Sequence, residues 1–235
     1  MIIAACLYGQ IERYRAAAEA WLTWTRHMAP WATIEIFCDH PAKILDQPCQ
    51  VFPVDWLSDC IRSRYPFDLK PAVFLKALDL VPAGEDLLVI DFDCLIQQDL
   101  RPMLKKFAGV PLGMTTDQGA FLYDVEPFMT GDYSTILKRC GGCMWFGASQ
   151  RRKDITPLFR NAWNEVHDLL PWEPKAPYVL EQYVMSIVAH RLGCPVLPAT
   201  LNWNVRLLGR TDAVLIDHDY GHEKFNGARH PGNPD

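Results

Sequence analysis

The stretch DLLVIDFDCLI, residues 86–96, decides how the chain is read. Leu87, Leu88, Val89 and Ile90 form an apolar run of strand type. The run ends in Asp91 and Asp93, with only Phe92 between them. Two like charges that close cost free energy unless something positive sits between them. At the carboxyl end of a parallel strand the chain opens into the crevice where α/β proteins take ligands. Residues i and i+2 of an extended segment point to one side. The two carboxylates then make half a site for a hard divalent cation with oxygen ligands, Mg²⁺ or Mn²⁺. A solvated turn after a strand is the plain alternative, and a bare D-x-D does not separate the two.

Working outward, the first third alternates strand and helix signals. Residues 2–8 are an apolar run closed by Gly9. Residues 12–28 hold strong helix formers and stop before Pro30. TIEIFC, residues 33–38, is β-branched and alternating, and closes on Asp39. Val51, Phe52 and Val54 mark a third short strand. Residues 71–80 read as a helix with Pro71 near its start. This order predicts an α/β layer with a mainly parallel sheet. Farther on, 110–115, 143–146 and 214–216 are candidate strands, and 151–169 and 179–192 candidate helices. The Gly/Pro-rich end, 227–235, reads as a loosely held tail after one domain spanning 1–226.

The chain has 235 residues, enough for a sizeable core. Hydrophobic residues make up 49% and charged residues 22%, an ordinary globular balance. The net charge is −5 and no basic run of five or more occurs, which argues against nucleic acid as a partner. The N-terminus lacks the basic region of a signal peptide. No apolar stretch reaches the roughly 18 residues of a membrane span. Several of the eight cysteines lie in apolar runs, where a free thiol behaves as a small hydrophobe. These features predict a cytoplasmic protein with reduced thiols, with peripheral membrane contact left open. Cys140 and Cys143 form a lone C-x-x-C with no second pair, a weak signal for zinc or redox chemistry.

Two further elements bear on the aspartates. HDYGHEK, residues 218–224, follows the short apolar run AVLI. His218 suits a third metal ligand. Gly221 lets backbone approach a phosphate. Lys224 supplies a point charge for an oxygen that becomes negative as a bond breaks. The alternative is a polar surface loop. Lys76 sits among apolar residues just before the aspartate strand, which suits a phosphate partner. It suits equally a lysine whose stem covers apolar surface.

Together these elements resemble glycosyltransferase family 8, the retaining, metal-dependent enzymes that include glycogenin and bacterial galactosyltransferases. The D-x-D appears here as DFDCLIQQDL and the later H-x-x-G-x-x-K as HDYGHEK, His218 following Asp93 by 125 positions. The resemblance spans residues 1 to about 226. It implies a GT-A-like, Rossmann-like fold, with a mainly parallel central sheet flanked by helices. It implies Asp91, Asp93 and His218 as ligands of Mn²⁺ or Mg²⁺, with Asp91 also touching sugar or ribose. Lys224, Gly221 and Lys76 would meet the diphosphate. Tyr8 or Tyr14 would stack on the base, and Asp39 would accept a hydrogen bond from a uracil N–H. The pair Glu181-Gln182 stands where the family has Asp-Gln and would sit near the reacting sugar as catalytic residues. Cys140-Gly141-Gly142 stands where the family has Asn-x-Gly, so one sugar-contacting amide is missing. Asn202, Trp203 and Asn204 fall where the family often has an Asn near the site, and Trp172 is an acceptor-contact candidate.

The resulting expectation is a hexosyltransferase that moves a sugar from a nucleotide sugar, UDP-linked, to a hydroxyl acceptor with retention. The rival readings are a sugar nucleotidyltransferase and a nucleotide-sugar-binding protein with a degenerate site. The nucleotidyltransferase reading expects a Gly-rich basic loop after the first strand, and LYGQIERYR has one glycine.

Overall fold

A computed structural model of the chain describes residues 1–7, 11–38, 41–51, 69–116, 135–169, 180–204 and 211–218. Its centre is a seven-stranded sheet in the order β10-β8-β9-β6-β1-β2-β5. The strands are β1 (Ile2–Leu7), β2 (Thr33–Cys38), β5 (Gln50–Val51), β6 (Leu87–Ile90), β8 (Gly113–Thr116), β9 (Arg139–Phe146) and β10 (Val196–Leu197). β9 runs antiparallel to both its neighbours, β6 and β8. The other pairings in the sheet are parallel. Parallel strands covered on both faces need apolar residues at every position. That is why β6 is buried throughout, and β1 buried from Ile3 onward.

One face of the sheet is covered by α2 (Leu69–Leu80), α4 (Ile155–Leu169) and α5 (Leu180–Arg191). In α4 the buried residues Ile155, Phe159, Ala162, Trp163 and Val166 recur at helical spacing, so one stripe faces the core. α5 is buried nearly all round, including Tyr183, Val184, Met185, Ile187 and Val188. The C-terminal end of α2 is tied down by Arg152, a buried side chain whose guanidinium donates to the Val81, Pro82 and Glu85 carbonyls at 3.1, 2.9 and 2.6 Å. Those carbonyls lie in the turn that delivers the chain into β6. The opposite face is covered by α1 (Ile11–Met28), which buries Ala18, Trp21, Leu22 and Thr25.

A second sheet of three strands, in the order β11-β12-β7, lies on the α1 side. Its members are β7 (Cys94–Ile96), β11 (Trp203–Asn204) and β12 (Ile216–His218). β3 (Lys43–Ile44) and β4 (Gln47–Pro48) form a small hairpin, and α3 (Arg101–Leu104) follows β7.

The mainly parallel α/β reading is therefore correct. Several boundaries differ from the sequence expectations. β8 begins at Gly113 rather than 110, and β9 at Arg139 rather than 143. Residues 150–154 form a 3-10 turn, in which the Ser149 hydroxyl accepts from the Arg151 N–H, and the α-helix starts only at Ile155. The last strand among the described residues is Ile216–His218, so His218 belongs to it instead of following it. The 226/227 boundary and the tail lie outside the described residues.

Candidate active site

β6 ends at Ile90, and the chain turns at once. The Asp91 N–H donates to the Gly142 carbonyl of β9 at 3.0 Å, and the Cys94 N–H returns to the Asp91 carbonyl at 2.9 Å. Asp91 and Asp93 thus occupy the first and third positions of a hydrogen-bonded four-residue turn. This corrects the sequence argument, which took the segment as extended. The two acids share one tight turn, and the bond from Cys94 to Asp91 closes it.

The turn is held from the α1 side by aromatics. Trp21, fully buried, meets Phe92 edge-on, with ring centroids 5.4 Å apart and planes at 88°. Such a pair adds about 0.5–1.5 kcal/mol beyond its area. One turn along α1, the Trp24 indole N–H donates to the Ile96 carbonyl of β7 at 2.7 Å. Beneath the turn lies Cys94, whose buried thiol is 3.3 Å from the Gly142 carbonyl and 3.9 Å from Asn202 Oδ1. Asn202, 2% exposed, donates from Nδ2 to Thr115 Oγ1 at 3.3 Å. Asn202, a candidate from the sequence, thus lies beside Cys94 under the turn. Its contacts are those of a buried support under the turn.

His218 arrives through strand pairing. β12 runs antiparallel to β7 with Ile216 opposite Ile96, Asp217 opposite Leu95 and His218 opposite Cys94. The backbone of His218 is therefore the cross-strand neighbour of the residue that follows Asp93. On its other side His218 pairs with Asn204 of β11. The side chains of His218, Trp203 and Asn204 lie outside the described residues. So do Tyr8, Asp39, Trp172, Gly221 and Lys224, and the side chain of Tyr14. Leu7 and Cys38, the residues before Tyr8 and Asp39, are register partners at the ends of β1 and β2.

Among the described residues no three His, Cys, Asp or Glu side chains are grouped to hold a metal. The donors that are described fit a hard cation by their chemistry. They are two carboxylates on one tight turn, the oxygen donors that Mg²⁺ and Mn²⁺ prefer. Lys76 is half-buried on α2. Cys140 and Cys143, both buried thiols, are strand residues of β9.

The other wall of the site is built on β9. A single step along β8, from Met114 to Thr115, matches the whole stretch from Met144 back to Cys140 on β9. β9 therefore bulges at Gly141-Gly142-Cys143. Bulges re-aim a strand and recur beside active sites, and Gly in a strand interior commonly marks one. Gly142 gives its carbonyl to Asp91. Gly141 gives its N–H to Gln182 Oε1 at 2.9 Å. A backbone N–H can only donate, so the Gln182 atom here must be the carbonyl oxygen. The amide NH₂ of Gln182 is left for other contacts. Gln182 is held in turn through α5, where its carbonyl accepts from Ser186 Oγ at 2.8 Å, and that oxygen accepts from the Arg139 N–H at 3.0 Å. Glu181, in the first turn of α5, is 8% exposed. A Cβ at Gly141 would stand 3.2 Å from Glu181 Oε1 and 3.6 Å from Gln182 Oε1. Asp91, Glu181 and Gln182 thus converge on the β9 bulge from two sides. Sequence reasoning missed the bulge as an organiser. The two adjacent glycines in an apolar strand were the available signal.

No protein-family model matches the chain, and neither does any curated protein. Solved structures do share its fold. The galactosyltransferase LgtC, in complex with donor and acceptor sugar analogues, matches with a TM-score of 0.56 at 13% identity, over 94% of this chain and 88% of that one. Mouse xyloside xylosyltransferase 1, in its apo form, matches with a TM-score of 0.59 at 13% identity, over 94% and 98%. The bifunctional glycosyltransferase WbbM matches with 0.55 at 13%, over 94% of this chain and 46% of its own length. The likeness is one of fold: this chain shares its α/β layer, with a mainly parallel sheet flanked by helices, with these glycosyltransferase structures.

Proposed function

We propose that this chain is a metal-dependent glycosyltransferase of the family 8 kind, which passes a sugar from a UDP-linked donor to a hydroxyl acceptor with retention. The observation that carries the reading is the pairing of β12 with β7. It sets the backbone of His218 across from Cys94, beside the Asp91-Phe92-Asp93 turn, at the mouth of a glycosyltransferase fold. The backbone at the first residue of HDYGHEK is thereby brought beside the turn that holds the D-x-D.

Asp91, Asp93 and His218 would hold Mn²⁺ or Mg²⁺, which supplies charge neutralisation for a leaving diphosphate. Lys224, Gly221 and Lys76 would bind the diphosphate oxygens, and Tyr8 or Tyr14 with Asp39 would take the uracil base. Glu181 would accept hydrogen bonds from donor-sugar hydroxyls. Gln182, with Oε1 committed to Gly141, would act there as a donor and not as a nucleophile or base. In the transfer, the bond between the anomeric carbon and the diphosphate oxygen breaks. The acceptor oxygen bonds that carbon on the same face, and its proton passes to the leaving phosphate oxygen. The test is donor hydrolysis with Mn²⁺ across UDP-, GDP- and CMP-sugars, alongside nucleotide binding with and without metal. Metal-dependent turnover of a UDP-sugar is expected. No turnover together with no metal-dependent nucleotide binding would sink the reading.

A further inference from the structure

Position 141 lies in a strand, where any residue but glycine would carry a Cβ toward α5. That Cβ would come within 3.2 Å of Glu181 Oε1, tighter than side chains ordinarily pack. Neither neighbour can step aside at no cost. Gln182 is pinned by the Gly141 N–H at 2.9 Å, and Glu181 is 8% exposed against the same surface. The Glu181 carboxylate therefore rests in space that a side chain at 141 would claim. Next to it, Gly142 hands its carbonyl to Asp91, so this carboxylate lies one strand away from the acid turn. A carboxylate accepts hydrogen bonds and, when ionised, donates none. It suits hydroxyl donors and, in a water-poor setting, repels a second carboxylate strongly.

We infer that Gly141 is the specificity-determining position of the donor site. Its missing side chain seats Glu181 so that the site takes a neutral, hydroxyl-bearing sugar and refuses a uronosyl group. This rests on the glycosyltransferase reading. Discrimination of this kind is a difference between two affinities, and UDP-glucose and UDP-glucuronate differ only at the sugar's sixth carbon.

The test uses the full chain with Mn²⁺ and measures binding of UDP, UDP-glucose and UDP-glucuronate by calorimetry. The expected result is UDP-glucuronate binding weaker than UDP-glucose by about tenfold or more, the factor that corresponds to about 1.4 kcal/mol. Glu181→Gln, close to isosteric, should bring that ratio to within about threefold, since the repelling charge is gone. Gly141→Ala should weaken UDP-glucose relative to UDP by several-fold. The double change Gly141→Ala with Glu181→Asp, which withdraws one methylene, should recover part of the loss, a non-additivity expected of residues in contact. If UDP itself does not bind, the glycosyltransferase reading falls and this inference with it. If UDP binds but UDP-glucuronate matches UDP-glucose, or Glu181→Gln leaves the ratio unchanged, the inference falls alone. A Gly141→Ala protein that fails to fold leaves Glu181→Gln to decide.

Discussion

The two walls of the site are built by opposite means. On the α1 side, the acid turn rests on aromatic mass: Trp21 against Phe92, and the Trp24 indole on the Ile96 carbonyl. On the α5 side, Glu181 and Gln182 rest on the absence of mass: a glycine bulge, with hydrogen bonds running from Gly141 through Gln182 and Ser186 to Arg139. A buried edge-to-face aromatic pair is close-packed and gives a rigid platform. Hydrogen bonds in a partly buried setting are sensitive to any lost partner, because the group left behind must go unpaired. The difference gives a firm base to the wall that carries Asp91 and Asp93, and the selectivity we infer lies on the wall that carries Glu181.

Breaking the aromatic wall should have the largest effect. Trp21→Ala removes a fully buried indole and should lower stability by about 3–5 kcal/mol in urea unfolding. A loss under 1 kcal/mol would mean that α1 does not brace the turn. Next comes the turn's own chemistry. Asp93→Asn should keep the melting temperature and weaken metal-dependent nucleotide binding by about 100-fold or more, beyond the roughly 10–100-fold that an outer partner of a metal ligand is worth. Retained binding in titrations with Mn²⁺ would remove Asp93 from the site. On the polar wall, Gln182→Leu strands the Gly141 N–H and should cost about 1–3 kcal/mol. Gln182→Glu, whose carboxylate can still accept that N–H, should cost less in the same melts while removing the amide donors. Equal losses from the two would show that the hydrogen bond to Gly141 is not what holds Gln182. The smallest effect is expected from Phe92→Leu. It should cost about 0.5–1.5 kcal/mol of edge-to-face contact with Trp21, and nearly nothing if Trp21 is already alanine.

Much of the large sheet was legible because its central strands are continuous apolar runs and β2 alternates with β-branched residues. Leu87–Ile90 and Thr33–Cys38 match their predicted spans, and Ile2–Leu7 falls within its own. Helices with one buried stripe, such as Ile155–Leu169, were also readable. The small sheet was not. β7, β11 and β12 are two or three residues long, too short for a period, and β7 and β12 pair across 120 positions. The acid turn was misjudged because the bond that closes it is a single local one, from the Cys94 N–H to the Asp91 carbonyl, which leaves no periodic pattern in the sequence. Start points such as Arg139 were hidden because a charged residue does not announce a buried strand. Arg139 is only 5% exposed, with its guanidinium on the Cys194 and Pro195 carbonyls.

The pairing of Ile216–His218 with Cys94–Ile96 also has a bearing on biosynthesis. Contacts distant in sequence form late, because the closure of a long loop must precede them. Domains emerge from the ribosome amino-terminal end first. A nascent chain holding β1, α1 and β6 already has the means to make the acid turn and its Trp21 platform. It has no strand to lay beside β7 until residues 216–218 have been made. The second sheet therefore acts as a completion mark: the turn acquires its neighbour only when translation has passed His218.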